Sequence, residues 1–571
     1  MLVSILAWLW VYLLLVIESA LVLLSIKIAF DFPEFGARWF QAVERKLSAL
    51  ALRPAVCILA VAGTAFILRG LFFPIAPIPE PTIHDEFSYL LAADTFASGR
   101  LANPTHPMWV YFESMQIDQQ PTYASMYPPA QGLALALGQR LGNPFYGVWI
   151  LGAVMCGAIC WMLQGWLPPR WALFGAGIAV IRLATFSYWV NSYMLGAITA
   201  TGGALVLGAL PRIIRAPRVF QTILFALGIA LLANSRPYEG AVLAATAILI
   251  ILYRLLQRRT ASRVLITRVI APLLLVMVPT IALMAYYNWR VFGNALTLPY
   301  QANRAAYASA GVFIWDSPKP APVYRHKAIA DFYTGWELKN FEEARSISGF
   351  LKLSLAKMTA AWQFYLGPVL TLPLLILPVT FRDRRTRGLL LICGVFVLAL
   401  FVEAWFMPHY AAPITAAVIA LCVQALRHLR VWRWKDRPVG MALVRMLATV
   451  CVLMLGIRIA IGIFHLPVNL GWPNTWATVW TVPLGREKIV SELESQPGRQ
   501  LVLVRYGPKH DPFREFVFNA ADIDGSRIVW ARDMGSDRNR ELLDYFKDRQ
   551  VWRLDGDSDP PRLSPFESGP Q

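Results

Sequence analysis

Long apolar segments recur along most of this chain, and they constrain its fold more than any other feature. A helix needs ~20 mostly apolar residues to cross the hydrocarbon core of a membrane. Twelve segments approach that length, at residues 3–30, 54–76, 144–166, 170–187, 190–211, 219–236, 239–256, 264–286, 364–381, 388–407, 410–427 and 439–463. Because 57% of the residues are hydrophobic and only 15% are charged, the chain is too apolar for a soluble globular protein. We therefore predict a polytopic α-helical membrane protein with about 12 transmembrane helices.

Clusters of Lys and Arg occupy the short loops between these segments, at alternate ends. They lie at residues 38–53, 170, 212–218, 254–268, 381–387 and 427–438. If the segments alternate strictly, all six clusters face one side, which is the positive-inside pattern of cytoplasmic loops. The residues from 464 onward then lie outside. Since the region from Arg486 to the end holds 14 Lys and Arg against 16 Asp and Glu, the formal charge of +18 reflects topology, and no nucleic-acid partner is expected.

Two long polar stretches face the outer side in this topology, at residues 77–143 and 287–362. In the first, residues 88–99 are predicted to form a short helix, because apolar side chains recur at helical spacing and Gly99 suits a C-cap. Tyr127 begins a rigid Tyr-Pro-Pro turn. The apolar stretch of about thirteen residues that follows is too short to span and suits the membrane interface.

Asp85 and Glu86 stand directly before this helix and are the candidate catalytic residues. Acids at a helix N-terminus commonly cap its amides and complement its dipole, so the local pattern alone favours a capping role. A carboxylate close to an outer membrane face can also act as a general base on an acceptor hydroxyl. Both interpretations stay open from the residues alone.

The region 464–571 differs from the rest of the chain because helical and strand patterns alternate in it. Strands are predicted at residues 500–506, 527–533 and 550–554, and helices at residues 486–494, 513–522 and 539–548. This alternation predicts a small extracytoplasmic α/β domain with a partly parallel sheet, following a transmembrane domain at residues 1–463. We interpret it as a structural or acceptor-docking domain, since it contains no glycine-rich phosphate loop.

The stretch HDEFSYLLAADTFASGRLANPTHP (84–107), followed by YPPAQGLALALG (127–138), resembles the first external loop of GT-C membrane glycosyltransferases. It is most similar to the branch with the lipid A aminoarabinose transferases and the bacterial relatives of protein O-mannosyltransferases. The resemblance implies a GT-C-like fold in a bacterial inner membrane, with a periplasmic active site. It also implies that Asp85 is the catalytic base and that Glu86 supports it or binds the acceptor. For the second acid found in some members, Glu113, Asp118 and Asp331 stay open.

The donor that this resemblance implies is a sugar on a polyprenyl phosphate, and the acceptor is a glycan, lipid or protein. A phosphate at the outer membrane surface needs cations, and the planar fork of arginine holds phosphate oxygens bidentately. Arg236 lies at an outer junction between segments, where a local ion pair with Glu239 is the alternative to a phosphate role. His409 and Tyr410, within MPHYAAP, resemble a recurrent motif of the branch, with an interfacial anchor as the alternative.

Further donor-binding candidates come from both outer stretches: Tyr127, Arg290 and Arg304. Tyr300 and Tyr307 are candidates for stacking on a sugar, although membrane interfaces use the same residue type. No cofactor is certain. The outer histidines show no paired ligand spacing, and some relatives bind a divalent ion near the donor phosphate while others need none, so a divalent metal stays open.

Two rival functions remain beside an inverting glycosyltransferase. A secondary transporter or lipid flippase fits about 12 spans and intramembrane arginines, but no repeat symmetry is visible between the halves. An envelope polysaccharide polymerase or ligase would differ mainly in its acceptor. Surrounding membrane lipid is a partner in every case.

Overall fold

A computed structural model describes residues 12–376, 378, 383–466, 468, 473–478 and 484–566 of the chain. Helices dominate these residues. The helices before residue 260 are α1 (Leu13–Asp31), α2 (Ala37–Ala51), α3 (Pro54–Leu71), α4 (His84–Ala97), α5 (Pro129–Arg140), α6 (Phe145–Trp166), α7 (Pro169–Leu183), α8 (Gly196–Arg215), α9 (Val219–Ala233) and α10 (Pro237–Gln257).

The later helices begin with one long apolar element and end in the C-terminal region. They are α11 (Ser262–Phe292), α12 (Pro299–Tyr307), α13 (Lys327–Ala330), α14 (Leu338–Arg345), α15 (Ile347–Ala361), α16 (Gly367–Leu374), α17 (Arg384–Phe401), α18 (Thr415–Leu429), α19 (Val439–Ile463), α20 (Arg486–Ser495) and α21 (Ser536–Tyr545). Seven residues of π-helix, Asp331–Glu337, join α13 to α14, and a 3-10 turn, Pro408–Ile414, leads into α18.

Eight of the described helices are long and apolar enough to cross a membrane: α1, α3, α6, α8, α10, α11, α18 with its 3-10 turn, and α19. The apolar helices α9 and α17 are shorter. Each of the twelve predicted segments is helical over at least part of its length, while residues 3–11 of the first lie outside the described residues. The predicted polytopic helical architecture is confirmed, and the count of twelve spans stays a prediction.

Helix α2 is an element that the sequence pattern did not predict. Its residues were expected only to form a basic loop, but they fold into fifteen residues of helix with a strongly amphipathic distribution of side chains. Trp39 and Leu47 are exposed large apolar residues on it. Such a helix suits the plane of a membrane interface.

The first outer stretch contains more regular structure than predicted. Helix α4 begins at His84 rather than at residue 88, so that both acids lie inside its first turn, where the helix dipole favours negative charge. Short strands β1 (Asn103–Pro104), β2 (Ile117–Asp118) and β3 (Thr122–Ser125) form an antiparallel sheet in the order β1-β3-β2. Helix α5 begins with a proline at its first position, which the fixed φ of proline favours.

The C-terminal region contains a four-stranded sheet. Strands β4 (Arg499–Arg505), β5 (Ile528–Arg532), β6 (Arg549–Asp555) and β7 (Arg562–Pro565) are ordered β5-β4-β6-β7. Strand β4 pairs in parallel with β5 and β6, and β7 pairs antiparallel with β6. The helix predicted at residues 513–522 is wrong, because this segment has no regular secondary structure. Its apolar side chains Phe516, Val517 and Phe518 are all buried, so tertiary burial outweighs the local helical pattern.

This sheet packs directly on the first outer stretch. The rings of Phe87 and Phe518 stack with centroids 3.9 Å apart, and both belong to one buried apolar cluster. Arg532 Nε donates to the carbonyl of Glu113 over 2.8 Å, and the Ala521 amide donates to Asp94 Oδ2 over 2.7 Å. The C-terminal sheet and the segment between β4 and β5 therefore contact the first outer stretch, which includes Asp85. The domain boundary near residue 464 stays a prediction.

Candidate active site

Asp85 lies in the first turn of α4 with its side chain partly open to the outside. Oδ1 accepts a hydrogen bond of 2.5 Å from the Tyr127 hydroxyl. Oδ2 lies 3.2 Å from Nε2 of His84, and 19% of the Asp85 side chain is exposed. A carboxylate that is held by a hydrogen bond at one oxygen and is still accessible is suited to accept a proton from a bound hydroxyl.

Tyr127, from the predicted Tyr-Pro-Pro turn, links Asp85 to a residue that no sequence pattern indicated. Its hydroxyl also lies 2.5 Å from Oε1 of Gln116. One hydroxyl hydrogen cannot serve two acceptors, so we assign the Gln116 amide with its nitrogen donor toward the tyrosine. Burial raises the pKa of Tyr127, and the charge of Asp85 raises it further. The hydroxyl therefore stays protonated and donates to the carboxylate.

His84 is a buried neighbour of Asp85 in an aromatic pocket. Its ring contacts Phe332 edge to face at 5.0 Å and lies 5.8 Å from the ring of Phe513. Burial lowers the pKa of His84, against the opposing charges of Asp85 and Glu515, so the imidazole is neutral. Among the described residues, its buried Nδ1 has no hydrogen-bond partner.

Glu86, which the sequence grouped with Asp85, faces the interior. It is 1% exposed, and Oε1 accepts a 2.9 Å hydrogen bond from the Tyr193 amide. Oε2 accepts from both the amide and the hydroxyl of Thr82. Burial raises the pKa of Glu86, and these hydrogen bonds oppose the rise. The contacts favour a supporting role, in which Glu86 ties α4 to the loop before α8, over contact with an acceptor.

Arg236 precedes α10 in the turn after α9, where Pro237 begins the helix. Its Nε donates to Oε1 of Glu239 over 2.6 Å, and Nη2 contacts the same oxygen. Glu403 Oε2 lies 3.7 Å from Nη2, and the guanidinium carbon lies 3.5 Å from the centre of the Tyr410 ring. The local ion pair offered as the alternative is therefore formed, while Tyr410 orients the guanidinium plane.

Tyr300 connects the arginine to the acid. Its ring meets that of Tyr127 edge to face at 5.4 Å, and Tyr89 stacks on the other side of Tyr127 at 4.3 Å. Burial raises the pKa of Tyr300, Arg236 opposes this rise, and Asp85 adds to it. The Tyr300 hydroxyl thus feels both charges, and it is buried without a hydrogen-bond partner in the described part of the chain. Asp85, the tyrosines and Arg236 form one cluster.

His409 lies beside this cluster in a separate contact. Its Nδ1 is 3.1 Å from the hydroxyl of Tyr188, and only 3% of the residue is exposed. The carbonyl of the preceding Pro408 accepts a 2.6 Å hydrogen bond from Tyr365. These contacts favour the anchoring interpretation of His409 over direct phosphate binding.

Arg304 and Arg290 do not contact Asp85. Arg304 Nη1 donates to Glu337 over 2.7 Å, and its guanidinium carbon lies 5.1 Å from the ring centre of Trp405. Arg290 is exposed and contacts the Tyr286 hydroxyl of its own helix at 3.3 Å. Arg304 lies one helical turn after Tyr300 and so borders the cluster, whereas Arg290 has no contact with it.

The three candidates for a second acid differ sharply in environment. Glu113 is buried, and Arg325 donates to it over 3.3 Å. Asp118 is buried and accepts from Asn303 over 2.9 Å, and burial raises the pKa of Asp118 to about 7. Asp331 is partly exposed and pairs with a lysine on its own helix. None of the three has a contact with Asp85.

Tyr89 and Gln116 are residues of the cluster that the sequence did not single out. Tyr89 follows Asp85 by four residues, so the helical spacing was a usable signal. Gln116 gave none, because it reaches Tyr127 only through the fold. As to a divalent metal, no group of three or more His, Cys, Asp and Glu side chains suited to hold an ion occurs in the described ranges.

No family model matches the sequence, and no curated protein matches it. Solved structures with a similar chain arrangement include ArnT and an archaeal oligosaccharyltransferase.

One such structure is ArnT from Cupriavidus metallidurans bound to undecaprenyl phosphate, with 14% identity, 88% of this chain and 92% of that chain covered, and a TM-score of 0.44. The apo state of ArnT gives 13% identity and a TM-score of 0.45, with the same coverage. The Archaeoglobus fulgidus oligosaccharyltransferase AglB, in complex with an inhibitory peptide and a dolichol-phosphate, gives 13% identity, 78% and 58% coverage, and a TM-score of 0.42.

Proposed function

We propose that this protein is an inverting glycosyltransferase that moves a sugar from a polyprenyl-phosphate donor to an acceptor hydroxyl. The observation that carries the proposal is Asp85, a partly open carboxylate that accepts a hydrogen bond from Tyr127 and lies 3.2 Å from His84. Tyr300 packs on Tyr127, and Arg236 is near enough to Tyr300 to oppose the rise of its pKa. A base and a cation in one aromatic-lined cluster are what this reaction requires. We propose that the cluster faces the periplasm, because the positive-inside pattern favours an outer location for its loops and the resemblance to GT-C enzymes implies a bacterial inner membrane.

The proposed reaction is a single displacement at the anomeric carbon. Asp85 accepts the proton of the acceptor hydroxyl as the acceptor oxygen forms its bond to that carbon. The bond from the anomeric carbon to the phosphate oxygen breaks, and polyprenyl phosphate leaves with the bonding pair. Polyprenyl phosphate is a good leaving group, so a carboxylate is a sufficient base for this step.

Arg236 is proposed to stabilise the charge that develops on the leaving phosphate. Glu239 occupies Nε and Nη2 of the guanidinium, and Nη1 has no acceptor within the described residues. The guanidinium has five hydrogen-bond donors in a fixed plane, so the Nη1 edge is available for a phosphate oxygen. Glu239 and Tyr410 then fix the plane, and Tyr300 presents its hydroxyl to the donor.

A transporter or flippase is not favoured. Its substrate site is expected near the bilayer midplane at a repeat interface, whereas Asp85 lies in an outer loop covered by the C-terminal sheet. The acceptor is a hydroxyl of a glycan, a lipid or a protein.

The experiment measures release of polyprenyl phosphate from a panel of polyprenyl-phosphate sugars by the full chain in nanodiscs. An extract of the native envelope supplies the acceptor. We expect Asp85→Asn to retain donor binding and lose turnover by about 10²- to 10⁴-fold. Asp544→Asn, the same exchange at an exposed acid on α21, serves as the matched control and is expected to keep full turnover.

The three outcomes separate the parts of the proposal. Release that vanishes only in Asp85→Asn supports both the reaction and the base. Release that persists in Asp85→Asn contradicts the role of Asp85 and keeps the reaction. No release from any donor in the presence of the extract contradicts the glycosyltransferase and brings a transport assay forward.

A further inference from the structure

A large groove lies at the end of the helical bundle opposite Asp85. Helix α3 begins at Pro54, directly after α2, which lines the groove, and ends at Leu71, shortly before the first outer stretch begins. The two ends of α3 therefore separate the groove from the first outer stretch. The groove has a volume of about 940 Å³ and is lined by α1, α2, α7 and α19. This is near the upper end of the ~300–1,000 Å³ typical of small-molecule pockets. Its walls are mainly apolar, including Leu21, Ile28, Phe174 and Ile178.

A group of charged residues closes one end of this groove. Arg430 binds both oxygens of Glu44, with distances of 3.1 and 2.8 Å. Arg445 Nε donates to Oε1 of the same carboxylate over 3.1 Å. Two guanidinium groups thus share one carboxylate, and Arg170 also lines the groove. The end of the groove carries an excess of positive charge.

Arg445 has donors that the protein does not use. Its side chain is 6% exposed, and Phe40 lies 5.5 Å beneath the guanidinium. No acceptor in the described ranges contacts its Nη1 or Nη2, although the residue lines the groove. These terminal nitrogens are therefore available to an anionic group in the groove, because a guanidinium holds phosphate oxygens well.

We propose that this groove binds an anionic glycerophospholipid of the cytoplasmic leaflet, with the acyl chains along the apolar walls and the phosphate on Arg445. Two features indicate a lipid rather than a free anion. The apolar walls are far larger than a phosphate needs, and the amphipathic helix α2 suits the membrane interface, where headgroups lie. The positive-inside pattern places this end in the leaflet that carries anionic lipids. This site is separate from the catalytic cluster and does not depend on the proposed function.

The test uses the delipidated full chain in detergent, with dioleoyl phosphatidylglycerol and dioleoyl phosphatidylcholine as probes and native mass spectrometry as the readout. We expect the wild type to bind the anionic lipid more tightly, and Arg445→Gln to lose about fivefold of that preference. A Cβ added at Gly177, which lines the groove, meets no atom within 4 Å. Gly177→Phe is therefore expected to fold and to reduce binding of the anionic lipid.

Gly63→Phe is the matched control, since its added Cβ also meets no atom within 4 Å and the position is outside the groove. It is expected to bind both lipids as the wild type does. Equal affinity of the wild type for the two lipids overturns the proposal, and so does a Gly177→Phe variant that binds phosphatidylglycerol normally. Inorganic phosphate that displaces the lipid completely would show a bare anion site and would also overturn it.

Discussion

At the scale of single residues, the hydroxyl of Tyr127 is the contact that most directly affects Asp85. It donates a 2.5 Å hydrogen bond to the carboxylate, and bonds to a charged acceptor contribute about 1.5–3 kcal/mol. We expect Tyr127→Phe to lower kcat by about 10- to 100-fold, because the base loses its orientation, and to leave KM almost unchanged. Steady-state kinetics with a polyprenyl-phosphate sugar measures this split.

The control is Tyr324→Phe, which removes a hydroxyl that donates to a backbone carbonyl over 2.7 Å in the second outer stretch. Its kcat is expected to match the wild type. A Tyr127→Phe enzyme with unchanged kcat, or one in which KM alone rises, would show that the hydroxyl does not act through Asp85.

Asp118 gives a prediction about the pH dependence of stability. Burial raises the folded-state pKa of Asp118 to about 7, partly offset by a hydrogen bond from Asn303. The folded state then holds a proton that the unfolded state releases near pH 4. Stability therefore falls from about pH 4 to pH 7, by up to roughly 4 kcal/mol from this group.

Asp118→Asn removes this titration while keeping the shape of the protonated acid. We expect its thermal midpoint to fall less than that of the wild type between pH 4.5 and pH 8, and thermal unfolding in detergent at several pH values measures the difference. Parallel curves for the two proteins would mean that Asp118 is ionised in the folded state.

Motifs and breaks between apolar segments indicated site residues better than charge alone did. Asp85 and Tyr127 came from a motif and contact each other, and Arg236 and Tyr410 came from breaks between apolar segments and also meet. Arg290 and Arg304 were chosen for charge alone, and the charge of a residue does not indicate where its side chain points in the fold. Gln116 could not be found, since only the antiparallel pairing of β2 with β3 brings its segment back toward Tyr127.

At the scale of elements, the segment between β4 and β5 links the C-terminal sheet to α4. Phe518 in this segment is 5% exposed and stacks on Phe87. We expect Phe518→Ala to destabilise the protein by about 3–5 kcal/mol, with a lower thermal midpoint. Phe220→Ala, at a residue that is 63% exposed on α9, is the control and is expected to change the midpoint little in detergent. Equal midpoints for the two variants would contradict a shared core.

The elements were predicted best where a long pattern repeats and worst where packing decides. The three strands of the parallel part of the sheet lie close to their predicted ranges, because runs of β-branched and apolar residues mark buried strands. The helix expected at residues 513–522 failed because Glu515 turns inward to an ion pair with Arg532, a contact that no local spacing indicates. Helix α2 was not predicted because residues 38–53 were interpreted only as a basic cluster between two apolar segments.

At the scale of the whole molecule, the six basic clusters and the two outer stretches predict one orientation of the chain across the membrane. Residues near α2 are expected in the cytoplasm, and the C-terminal sheet is expected outside with Asp85. Impermeant maleimide tests this in intact cells, because five of the six native cysteines are buried and Cys393 is only partly exposed. We expect Asp537→Cys, at an exposed position on α21, to be labelled and Arg45→Cys, exposed on α2, to be protected.

Permeabilised cells provide the control, since both variants should then react. Labelling of the Arg45→Cys protein alone in intact cells would invert the topology and move the cluster around Asp85 to the cytoplasm, where nucleotide-linked sugars are available and a lipid-linked donor is no longer required. Labelling of both variants in intact cells would put α2 and α21 on the same side of the membrane. The number of spans between them would then differ from the predicted number by an odd number. The sidedness thus bears on the donor class independently of any activity measurement, because the side of the membrane decides which activated sugars can reach Asp85.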